Sequence, residues 1–192
     1  MPSSLSPKTV TELATEFDAI AESTRQTFGS LTAAELNWKP GVDRWSIAQC
    51  LDHLFTGNRA FFPVFERVAR GEKRNTLWES MPLLPHLFGQ LLIKSLEPTS
   101  TRKLKAPKAI EPSNSDIDSE IVDRFLLQQT ELANAYRSME GKDLDRVKMT
   151  SPFLRIVTYS LRDACVMIVV HERRHLQQAE RVLSSPGFPA VS

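Results

Sequence analysis

Two cysteines among 192 residues, Cys50 and Cys165, are too few for a disulfide framework. Both lie inside apolar helical patterns and are read as buried reduced thiols. Net charge is also missing: 24 Lys and Arg offset 23 Asp and Glu, leaving +1. That balance excludes a strong field for nucleic acid or an anionic membrane. There is no basic stripe or aromatic platform of the kind nucleic-acid modules carry. Apolar runs such as Cys165 to Val170 fall far short of the ~20 residues that span a bilayer. Met1-Pro2-Ser3-Ser4 lacks the basic-then-apolar layout of a leader. The expectation is a cytoplasmic protein with no nucleic-acid and no membrane partner. Internal repeats and low-complexity tracts are absent. No segment alternates convincingly with period two, so no sheet is expected. The length and an apolar content of 41% allow one domain, 1–192, with a sizeable core.

What is present is helical periodicity. Four segments carry it: Pro7 to Phe28 after a Ser6 cap, Ser46 to Arg70 before Gly71, Ser115 to Met139 before Gly141, and Ser160 to Ser184 before Pro186-Gly187. Ser46 to Gln49 resembles a capping box. At about 1.5 Å per residue each helix exceeds 30 Å. The pattern predicts an all-α chain, an antiparallel four-helix bundle with a long, partly helical excursion at residues 71–114. An excursion of this length is read as an ordered cover over one end of the bundle. Its later part carries Lys94, Arg102, Lys103, Lys105 and Lys108, read as solvated surface or as a ring recruiting an anionic substrate. Trp38, Trp45 and Trp78 are read as structural anchors, Trp45 as a staple beside the Ser46 cap. Trp78 and Phe88 are alternatively the lining of a pocket.

The last helix contains His171-Glu172-Arg173-Arg174-His175. Histidines four apart share one helix face, and here they stand on the inward stripe. Burial disfavours the imidazolium, so both rings should be neutral with lone pairs to donate. The string matches the zinc-protease motif H-E-x-x-H, but that pattern needs a third ligand downstream. Only 17 residues follow His175, and their sole carboxylate, Glu180, is on the same helix. The protease reading therefore fails. Upstream, the candidates are His53, in the second helix, and His86, in the excursion and read as a surface or lid residue. Gly57, one turn past His53, implies either close helix packing or room for a metal.

The Trp45-Ser46 helix start, a histidine seven residues after Ser46, and the distant His-x-x-x-His followed by Leu176-Gln177-Gln178 resemble the DinB/YfiT-like superfamily. These are four-helix-bundle proteins described as metal-dependent enzymes. The resemblance covers nearly the whole chain. It implies that His53, His171 and His175 together bind one divalent metal, with positions left open for water or substrate, and that the protein is a homodimer. Three neutral imidazoles suit zinc or nickel, and also iron or copper. The resemblance further implies a low-molecular-weight-thiol-dependent S-transferase or isomerase, or else a metal-dependent hydrolase, acting on a small-molecule substrate. A non-catalytic metal or small-ligand binding protein, and a plain structural bundle with core histidines, are the other classes.

Around the metal, Glu172 and Asp52 are the candidates for catalytic acid–base work. Gln49, Gln129 and Gln178 are the candidates for orienting a ligand or touching a cofactor. Glu172 is otherwise read as facing Arg173, Arg174 or solvent, and Asp52 and Gln178 as solvated helix residues. Gln128 and Gln129 are read as touching substrate or capping a buried carbonyl.

Overall fold

The computed structural model describes residues 9–81, 91–96, 107–113 and 116–189. Its long helices are α1 (Val10–Phe28), α3 (Ile47–Arg59), α4 (Phe62–Ala69), α5 (Ile121–Ser138) and α6 (Leu161–Leu183), with a short α2 (Ala33–Asn37). Residues 91–96 are also helical, and a 3-10 turn covers Lys108–Ile110. α1 packs on α5 and α6, α3 on α5 and α6, and α4 on α5. The chain is therefore a mostly helical, all-α bundle in which α3 and α4 share one bundle position.

Side-chain chemistry sets the helix starts. α1 opens on a capping box between Thr9 and Glu12. Thr9 is extended (φ −64°, ψ 160°), so this helix begins after it, not at Pro7; Ser6 and Pro7 lie outside the described residues. Ser46 and Gln49 form the capping box that opens α3, and Ser160 caps α6, its Oγ accepting from the Asp163 N–H.

The expected helix from Ser46 to Arg70 is interrupted at Ala60-Phe61. Pro63 supplies the reason: its ring clashes with the carbonyl four residues back, and it is tolerated only in a first turn. It stands in the first turn of α4. The expected third helix begins at Ile121, six residues after the expected start. The expectation of no sheet is also corrected. Strands β1 (Lys148–Thr150) and β2 (Thr158–Ser160) pair antiparallel, with Met149 opposite Tyr159. Three-residue strands are too short to show period two.

One aromatic knot ties the bundle. Tyr136 of α5 meets Phe17 of α1 edge-on at 4.9 Å and Phe65 of α4 at 5.4 Å. Its hydroxyl donates to the Cys165 carbonyl of α6 at 3.0 Å. All three rings are fully buried, worth roughly 1.5–3 kcal/mol for a side chain such as Phe. Cys50 and Cys165 are free and buried, and burial pushes both thiols up to about 12.

Beyond α4 the excursion is pinned to the hairpin. Asn75 accepts from the Lys148 N–H (2.9 Å) and donates to the Arg146 carbonyl (3.0 Å). Glu79 accepts from the Thr150 N–H (2.9 Å) and from Lys73 Nζ (2.7 Å), in a pair whose side chains are only 6% exposed. Trp78, 45% exposed, stays at the surface. Lys94 and Lys108 are exposed. Phe88, Arg102, Lys103 and Lys105 lie outside the described residues.

Candidate metal centre

His53 sits two turns into α3, and its position follows from the cap. The Ser46–Gln49 box fixes the start of the helix and so the direction in which His53 leaves it. His53 Nδ1 lies 2.6 Å from the Ile110 carbonyl oxygen. A carbonyl only accepts, so Nδ1 carries the proton and the Nε2 lone pair is free. That lone pair points across to α6, where His171 Nε2 stands 3.1 Å away. One turn on, His175 closes the triangle, its ring centroid 4.6 Å from that of His53 and 4.7 Å from that of His171. One nitrogen from each ring can be chosen so that all lie within 4.8 Å of one another.

The rings fit a common cation. Two zinc–nitrogen bonds of about 2.0–2.1 Å at a tetrahedral angle hold their nitrogens about 3.3 Å apart, close to the His53–His171 separation. All three rings are held neutral. Burial lowers the His53 pKa, against the opposing pull of the Ile110 carbonyl and the Asp52 charge. Burial, then the two other histidines and Arg174, keeps His171 well below its ordinary value. Burial, His53 and Arg174 push His175 down to about 3, although Gln178 pulls the other way. Among the described residues the buried His175 Nδ1 has no hydrogen-bond partner. His53 is buried while His171 and His175 are half-buried. His86 lies outside the described residues.

A family model described as the DinB superfamily matches residues 16–179. The chain belongs to the DinB superfamily. It is 28% identical over 155 residues to an uncharacterized protein, YuaE, of Bacillus subtilis (strain 168), a match covering 79% of this chain and 85% of that one. No solved structure matches it significantly.

The remaining candidates in this DinB-superfamily chain occupy places of their own. Gln49 Oε1 accepts from the Ser46 N–H and its Nε2 donates to the Ser113 carbonyl at 2.7 Å. Asp52 accepts from the Ser113 N–H at 3.3 Å. Both tie the 107–113 segment, which carries the Ile110 carbonyl, to α3.

Glu172 corrects the expectation that it faces Arg173, Arg174 or solvent. It is fully buried. Its Oε1 accepts from Asn58 Nδ2 at 2.6 Å and from Gln129 Nε2 at 3.1 Å, while Arg173 pairs with Glu16 of α1. Burial raises the carboxyl to about 8, with the two amide donors pulling it down. Gln128 joins the network, accepting from Asn58 at 3.2 Å and donating to the Phe55 carbonyl at 2.9 Å. Gln128 therefore caps the Phe55 carbonyl, and Gln129 serves Glu172.

Gly57 stands in the last turn of α3, and among the described residues a Cβ there would meet only Ile110 Cγ2, at 4.0 Å. Among the described residues no close helix packing requires it.

Sequence reasoning missed two contributors, the Ile110 carbonyl and Trp45. The Trp45 indole stacks on His175, with centroids 5.4 Å apart and planes at 21°, and lies 5.0 Å from the His53 ring. Its place just before the cap and two turns before His53 was the available signal.

Proposed function

We propose that this DinB-superfamily protein holds one divalent cation, zinc or nickel, on His53, His171 and His175 and is a metalloenzyme acting on a small molecule. The observation that supports this is the His53 Nε2 to His171 Nε2 approach of 3.1 Å, with the His53 Nδ1 proton committed to Ile110. The plain alternative is a neutral hydrogen bond from His171 Nε2–H to His53 Nε2. A shared cation employs the third ring as well, and the family membership favours it.

A bound dication supplies Lewis acidity, making water or a thiol nucleophilic near neutral pH. The chain's own residues do the rest. The Ile110 carbonyl fixes the His53 tautomer, the Ser46–Gln49 cap fixes the entry of α3, and the half-buried side of α6 admits substrate. The reaction class proposed is S-transfer or isomerisation dependent on a low-molecular-weight thiol, carried out by a homodimer. Metal-dependent hydrolysis is the second reading. Neither Cys50 nor Cys165 can be the nucleophile, because both thiols are buried and held protonated.

Turnover of electrophile panels with and without small thiols, on zinc- and nickel-loaded protein, tests this. Thiol-dependent, saturable turnover lost in His171→Leu is the expected result. Thiol-independent ester or amide cleavage selects the hydrolase. Tight metal binding with no turnover in either screen favours a binding protein.

A further inference from the structure

Metal-bound imidazoles are normally held by a hydrogen bond from the other ring nitrogen to a carboxylate or carbonyl. His53 follows this rule through Ile110. On His175 the buried Nδ1 has no hydrogen-bond partner among the described residues, and Gln178 acts on the ring as a side-chain hydrogen-bonding partner. What lies against its ring is the indole of Trp45, stacked at 5.4 Å and 21°. The same indole sits against His53 at 5.0 Å and 53°, so one side chain touches rings from both helices of the site. Trp45 is itself held, because it immediately precedes the capping box that opens α3.

We propose that Trp45 is a positioning residue for His175, its indole face setting the imidazole plane. This rests on the metal reading above. The role asks for a flat aromatic surface at position 45 rather than for apolar bulk. Gln178, three residues along α6, is the other side chain acting on His175, by hydrogen bonding.

The test is a zinc competition titration of the full chain against a chromophoric chelator, for wild type, Trp45→Phe, Trp45→Leu and Gln178→Ala. Leucine keeps apolar volume and removes the aromatic face, while phenylalanine keeps the face. Trp45→Leu should weaken zinc binding about 10-fold or more, the usual loss when a ligand's orienting partner is removed. Trp45→Phe should stay within about 3-fold of wild type, and Gln178→Ala should lose less than Trp45→Leu. The melting temperatures of the metal-free Trp45 variants should match each other, which separates ligand orientation from simple packing. Equal affinity in wild type and Trp45→Leu, a Trp45→Phe protein as weak as Trp45→Leu, or a loss in Gln178→Ala as large as in Trp45→Leu would overturn the proposal. A wild type that takes up no zinc or nickel overturns the metal reading instead, a separate and recognisable failure.

Discussion

Single side chains on α6 differ in what their polar atoms are given to bond with. His171 turns a nitrogen towards His53, whereas Glu172, 100° round the helix, is fully buried and receives two amide donors. Glu172→Gln keeps the acceptor oxygen that Asn58 and Gln129 use, and it adds no charge. Thermal unfolding should find its melting temperature within about 2 °C of wild type, as expected for a change well under 1 kcal/mol. Glu172→Leu strands the Gln129 donor in the interior and should cost about 1–3 kcal/mol. Equal losses in the two variants would contradict the network. The burial of Glu172 was not legible because one inward stripe was assigned to the helix. α6 packs against both α3 and α1, and the Glu172 side is closed by Asn58 of α3 and Gln129 of α5. The two α6 histidines were legible because four-residue spacing alone puts them together.

Among the elements, caps read well from sequence and interruptions did not. Ser46 and Ser160 start α3 and α6 where their side chains said they would. The apolar stripe ran straight through Ala60-Phe61, and only Pro63 betrayed the break. The hairpin was invisible because its strands are three residues long and gain their order from contacts distant in sequence, Asn75 and Glu79 among them. Glu79 makes a prediction for this element. Burial works to raise its pKa, but hydrogen bonds from Lys73 and the Thr76 N–H, the Lys73 charge and the Thr150 N–H together hold it below its ordinary 4.5. A carboxyl lowered in the folded state adds stability above its unfolded pKa and loses it as pH falls through the folded one. Glu79→Gln should therefore be less stable than wild type by about 1–3 kcal/mol at pH 7. Denaturant titrations at a series of pH values should show that gap closing below about pH 4.5. A gap independent of pH would remove the ion pair from the account.

For the molecule as a whole, fold class was the easiest property to read, since long helical periods dictate a bundle before any site is considered. The convergence of the histidines is a property of the assembled bundle. His53 lies 118 residues from His171, and no local rule brings them together; here the family resemblance supplied what spacing could not. The excursion contributes through its far end, where Gln49 and Asp52 hold Ser113 and so present the Ile110 carbonyl to His53. X-ray absorption at the zinc edge, on protein loaded with one equivalent of zinc, tests the central claim most directly. The account predicts three imidazole nitrogens at about 2.0–2.1 Å and no sulfur, with loss of the ordered site in His53→Ala. A zinc bound through sulfur, or through imidazoles that survive the removal of His53, would contradict it.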